Sequence, residues 1–217
     1  KTFKTFKPTQ TDLYFLGLSL ASFLLILRFG SFLASNLQGT LPFASDMTTF
    51  YFLIPIAAGP MLVRFVLNPV ITLVFAILLS VFCGFFLEQN FDMTVYYLLS
   101  GLFGAWLIGQ LETRSSVLKR GVFLGLANTG LVLCLTLINT LSTSAFVDPQ
   151  IILANCAFAF LAGPFAALVV LGLSPLAESL FGYTTNIKLI ELANMNHPLL
   201  REMIVVAPGT YLHSQLV

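Results

Sequence analysis

Six long apolar runs, separated by short polar turns, fill most of this chain, at roughly 13–33, 49–67, 70–87, 94–111, 122–141 and 151–173. A helix crossing the hydrocarbon core of a bilayer needs about 20 mostly apolar residues, and each run comes close to that length. The pattern therefore predicts an all-α fold: a polytopic transmembrane helix bundle with six spans over residues 1–173, ending in a short helical cytoplasmic tail.

From residue 174 the chain becomes mixed. Ser174 before Pro175 has the form of a helix start, a capping hydroxyl ahead of a residue whose missing N–H costs nothing there. That helix should stop at Gly182. Thr184 or Thr185 can cap a second helix through 187–194, which completes a connector spanning 174–196. Asn196, His197 and Pro198 then open a third helix, Pro208 and Gly209 end it, and Thr210 caps a fourth carrying Tyr211, His213 and Ser214.

Composition agrees with this reading. Of 217 residues, 58% are hydrophobic and 9% charged, and the mean hydropathy is +0.95, whereas soluble domains carry about a quarter charged residues. The formal net charge of +1 creates no field that would gather DNA, so the expected surroundings are the lipid bilayer. Placement of the charges says more. Lys1, Lys4, Lys7, Arg64, Arg114, Lys119, Arg120, Lys188 and Arg201 all fall on one side if the six spans alternate. The opposite loops hold Asp46, Glu88, Asp92 and Asp148 and no Lys or Arg. The positive-inside rule then puts both ends of the chain in the cytoplasm.

Inside the spans polar groups are sparse. Arg28 is the one charge away from a span end, able to snorkel outward or to pair within the bundle. Asn128, Asn139 and Asn155 can hydrogen-bond between the last two spans. Small residues recur every fourth position, as Gly101, Ala105 and Gly109, as Gly121 and Gly125, and as Ala159, Gly163 and Ala167. Such ridges let helices approach closely, within the bundle or with a second copy in a homo-oligomer. Pro55, Pro60 and Pro164 should bend their helices. The FCGFF run at 82–86 reads as lipid contact, and Tyr14, Tyr51, Tyr96, Tyr97 and Trp106 as an aromatic belt. Cys83, Cys134 and Cys156 lie far apart in apolar runs, as small fillers do. A small transporter or channel-like subunit is the alternative reading, but it calls for mid-membrane carboxylates, and the runs contain none.

Chemistry-bearing residues concentrate in the tail, which holds both histidines, His197 and His213. His197 precedes Pro198 as a helix-entry residue would. A single histidine cannot form a metal site, since even catalytic zinc uses about three protein ligands.

The tail nevertheless resembles a known sequence type. ELANMNHPLL at 191–200 and APGTYLHS at 207–214, with FLIPIAAGPMLV at 52–63 and LSPLAESLFGYTTNIKLIEL at 173–192, are similar to the bacterial seven-transmembrane HD-hydrolase receptors. That family includes membrane-bound cyclic di-AMP phosphodiesterases. The resemblance implies a sensor and transmission region in the bacterial plasma membrane, excised from a longer protein. An extracellular sensory domain and one more helix would precede it, and a metal-dependent HD phosphodiesterase domain would follow. Residues 197–217 would be the start of that domain, with His213 its first metal ligand. The family usually has two adjacent histidines there, and this chain has Leu212 in the first place. Two divalent metal ions, manganese or iron, and a cyclic dinucleotide substrate are implied for the full-length protein. No catalytic residue is expected in the fragment itself.

Overall fold

The computed structural model describes residues 9–39, 47–109, 114–143, 148–183, 205–207, 209 and 213. They form α1 (Gln10–Leu37), α2 (Met47–Tyr51), α3 (Ala58–Val66), α4 (Pro69–Phe86), α5 (Phe91–Ile108), α6 (Arg114–Thr143) and α7 (Pro149–Phe181), with no strand among the described residues. The helix expected at 187–194 and the Thr210 cap lie outside the described residues; of the helix expected after 196–198 only the end at Val205 and Val206 is described, and it is helical.

Local chemistry sets the helix starts. Thr9 caps α1 in a reciprocal box with Asp12, whose amide donates to the Thr9 hydroxyl oxygen at 3.3 Å while the Thr9 amide donates to Asp12 Oδ2 at 2.8 Å. Asn68 accepts from the Ile71 amide ahead of Pro69 in α4, Asn90 from the Met93 amide in α5, and Asp148 from the Gln150 amide ahead of Pro149 in α7. Gly182 ends α7 in the left-handed conformation, φ 69°, which glycine adopts without steric cost.

Five helices, α1, α4, α5, α6 and α7, are long and apolar enough to cross a membrane. Six spans were expected, and the missing one is the run at 49–67, which is not a single helix. Pro55 disfavours helical backbone at Ile54 and offers no N–H of its own. The chain instead makes a three-residue turn, with the Ile56 amide donating to the Ile54 carbonyl at 2.8 Å. α3 then starts with Pro60 in its first turn, where a missing donor leaves no gap. Pro60 therefore does not bend a helix here.

Broken backbone at membrane depth needs cover, because lipid offers no hydrogen bonds. The fold provides it: Phe52 and every residue from Ile54 to Val63 are buried, and α3 packs on α1, α4, α5 and α7. Two phenols complete the seal. Tyr96 donates to the Phe52 carbonyl at 3.1 Å and Tyr97 to the Tyr51 carbonyl at 2.8 Å. Both side chains are deeply buried, so these two tyrosines do not belong to the expected aromatic belt; Tyr14 and Trp106 are exposed as a belt requires.

The bundle turns apolar side chains outward, among them Phe82, Phe85 and Phe86 of the FCGFF run, while Cys83 is fully buried. α6 and α7 share the most extensive helix contact among the described residues. They meet through the small-residue ridges. A Cβ on Gly121 would stand 2.6 Å from that of Ala167, and one on Gly163 would lie 2.6 Å from Gly125 Cα and closer still to the Gly125 nitrogen. Asn128 donates to the Ala159 carbonyl across the same seam, and the Thr129 hydroxyl is shared between the Gly125 carbonyl of its own helix at 3.0 Å and the Cys156 carbonyl of α7 at 3.4 Å. Asn139 instead reaches Asp92, at 2.7 Å.

α7 runs unbroken through Pro164 and Pro175, so Ser174 does not start a new helix. Each proline frees the carbonyl one turn back, and each carbonyl finds a neighbour. The Phe160 carbonyl faces Gly125, where any side chain would collide with it. The Leu171 carbonyl accepts from the Ser174 hydroxyl at 3.4 Å.

Candidate functional site

The chemistry that distinguishes this bundle lies at the two ends of α1. At its first turn, Asp12 is buried although charged. One carboxylate oxygen holds the Thr9 amide and hydroxyl, each at 2.8 Å, and the other accepts from the Tyr183 hydroxyl at 2.5 Å. Tyr183 follows Gly182 directly, so the left-handed turn that ends α7 also aims the phenol back at α1. Phe15 packs edge-on against Phe181 and Tyr183, with ring centroids 5.3 and 5.5 Å apart.

This cluster clasps the start of α1 to the exit of α7. Burial first, and the Asp12 carboxylate second, push the Tyr183 phenol above its ordinary titration range. The hydrogen bond therefore persists at any physiological pH. Of the five long helices α1 has the smallest buried share, so this clasp is a large part of what fixes it against α7. Sequence reading missed it for a physical reason. A Thr and an Asp three residues apart look like a helix cap, and the cap is real, which hides the carboxylate's second oxygen.

Toward the other end of α1 an open cleft of about 890 Å³ lies between α1, α2 and the α4–α5 turn. Leu25, Arg28, Phe32 and Ser35 present one stripe of α1 to it, and Glu88 and Asn90 line the opposite wall. Glu88 and Gln89 both have φ 59°, which turns the chain sharply at that wall. Arg28, left open by sequence between snorkelling and pairing, has no ion pair or side-chain hydrogen bond among the described residues.

His213 is helical and exposed, and His197 lies outside the described residues. No three His, Cys, Asp or Glu side chains converge as a metal site among the described residues. The residues present thus do not by themselves fit a metal centre, and no chemical step is assigned to one.

A family model described as 7TM receptor with intracellular HD hydrolase matches residues 1–185. A cyclic-di-AMP phosphodiesterase PgpH of Bacillus subtilis is 33% identical over 172 residues, 76% of this chain and 24% of the relative. The protein of the same name from Listeria monocytogenes is 36% identical over 174 residues, 79% of this chain and 24% of the relative. An uncharacterised protein of Synechocystis is 31% identical over 125 residues, 56% of this chain and 15% of the relative. The chain thus spans about a quarter of the length of the first two relatives. No solved structure matches.

Proposed function

The chain belongs to the family of seven-transmembrane receptors with an intracellular HD hydrolase, and from that premise we propose that it is the membrane transmission region of a cyclic di-AMP phosphodiesterase. In this reading the broken run at 49–67 makes the sixth crossing, as the Asp12–Tyr183 bond between the start of α1 and the exit of α7 requires, so the chain lies in a bacterial plasma membrane with both ends cytoplasmic and passes a signal from an outer sensory domain or from the bilayer to the hydrolase. Residues 1–173 are the bundle, 174–196 the connector, whose first part continues α7 without a break to Phe181, and 197–217 the beginning of the hydrolase domain.

The observation that carries the proposal is the clasp. α7 leads directly into the connector, and its last turn is tied by Tyr183 to a charged, buried group on α1. A displacement of α1 must either move the exit of α7 or break that bond. α7 itself is continuous for 33 residues, so motion at one end of it is delivered to the other. Interfaces of this kind tend to hold one of two packings rather than deform smoothly, which suits a switch.

In the parent protein His213 supplies one ligand of a divalent two-metal site completed by residues further along the chain. The test is His213→Ala in that protein, with metal content and cyclic di-AMP hydrolysis measured together. Loss of bound metal and of hydrolysis is expected. Retention of both would remove His213 from the site and take the hydrolase assignment of 197–217 with it.

A further inference from the structure

The Arg28 cleft carries chemistry that the transmission role does not use. A helix rises 1.5 Å per residue, so a bilayer centred on α1 puts the Arg28 Cα only about 7 Å from the midplane, well within a hydrocarbon core about 30 Å thick. A guanidinium at that depth is expected to face a partner, backbone carbonyls or a water-filled cavity. Here it faces a cleft and has no partner among the described residues.

The surroundings narrow what could enter. The Ser31 and Ser35 hydroxyls give their protons to the Arg28 and Phe32 carbonyls of α1 itself. They can therefore accept hydrogen bonds from a ligand, while Arg28 remains as the cationic donor. Phe29, Phe32 and Phe86 line the same space, and its volume of about 890 Å³ falls within the 300–1,000 Å³ range of small-molecule sites. Glu88 lines the same cleft, and among the described residues no ion pair joins it to Arg28, so negative charge is attracted at one wall and repelled at the other.

We propose that this cleft binds a molecule with one anionic phosphate or carboxylate head, held by Arg28, on an apolar body lying against the phenylalanines. Its source is either a lipid of the bilayer or a free amphiphile. Arg28 and Asp12 stand on one helix, about 24 Å apart along it, so occupancy would bear on the clasp through α1; that consequence rests on the transmission reading, whereas the binding does not.

The experiment uses the purified chain in a neutral maltoside detergent. Short-chain phosphatidylglycerol is titrated, and binding is read by native mass spectrometry and by melting temperature, with octyl phosphate, an anionic head on a short apolar body, as the free competitor. Arg28→Gln should weaken phosphatidylglycerol about tenfold, the usual scale for losing a charge-assisted contact. Arg28→Lys should restore much of the binding, and Glu88→Gln should tighten it. Arg64→Gln, beyond this cleft, should change nothing. Displacement of phosphatidylglycerol by octyl phosphate identifies a free amphiphile, and failure of octyl phosphate to displace it identifies a lipid. Unchanged affinity in a folded Arg28→Gln chain would overturn the proposal; should that variant not fold, an unaltered affinity in Glu88→Gln would do so. Because no hydrolysis is measured, failure here is distinct from failure of the transmission reading.

Discussion

Replacing Gly163 with alanine adds one methyl group at the place where α6 and α7 touch backbone to backbone. The new Cβ would meet the Gly125 nitrogen, the Gly121 carbonyl oxygen and Gly125 Cα, the last at 2.6 Å. No flexible side chain can move out of the way, so the helices must part by roughly 1 Å to restore ordinary carbon contacts near 3.5–4.0 Å. Overpacking of this kind costs about 1–3 kcal/mol. Parting also stretches the Asn128 bond to the Ala159 carbonyl and the Thr129 bond to the Cys156 carbonyl, already 3.5 and 3.4 Å long. Interhelical bonds in membranes average about 0.6 kcal/mol each. Against these losses stands a gain of up to about 1 kcal/mol from replacing a helical glycine with alanine, leaving a net destabilisation of about 2 kcal/mol. Gly172 is the internal control: it lies on the same helix, and nothing stands within 4 Å of where its Cβ would be. Gly172→Ala should be neutral or stabilising by up to about 1 kcal/mol. Equilibrium unfolding of the two variants in mixed micelles should therefore differ by about 3 kcal/mol, on the order of a hundredfold in the unfolding constant. Equal stability would refute the close α6–α7 crossing.

Tyr96→Phe removes the donor from the Phe52 carbonyl inside the protein, and leaving such a group unsatisfied should destabilise the bundle by about 1–3 kcal/mol in the same unfolding assay, while Phe at the exposed Tyr14 should leave stability unchanged. Tyr183→Phe should lower stability by about 1.5–3 kcal/mol, the range for a hydrogen bond to a charged group. That contribution has a pH signature. The fold raises the Tyr183 titration point, so the bond contributes fully below about pH 10, the unfolded value, and is lost as pH climbs toward the folded one. Stability followed upward from pH 8 should hold to about pH 10 and then fall in the native chain, with this component absent from Tyr183→Phe.

Much of the bundle could be read from sequence because burial in lipid requires long apolar runs, and five of the six became helices within a few residues of the expected bounds, apart from the longer ends of α6 and α7. The sixth failed because a hydropathy window cannot distinguish a continuous span from a buried chain broken at Pro55; Phe52 to Val63 are equally apolar either way. The small-residue ridges at Gly121, Gly125, Ala159, Gly163 and Ala167 were legible as a close-packing surface, since only their spacing matters. Partners separated widely in sequence were not. Nothing near Asp12 points to Tyr183, 171 residues away, and the tyrosine pair at 96 and 97 has the same letters whether it faces headgroups or closes a broken helix.

If the hydrolase responds to the bond that ties the exit of α7 to α1, disturbing that bond must change its rate. Cyclic di-AMP hydrolysis by the intact parent protein in proteoliposomes tests it most directly, comparing the native form with Tyr183→Phe and with a short Gly/Ser insertion after Gly182. Coupling between sites is typically worth 5–150-fold. Both changes should shift the hydrolysis rate about fivefold or more, with bound metal unchanged. Native rates in both variants would contradict it and leave the bundle as an anchor alone.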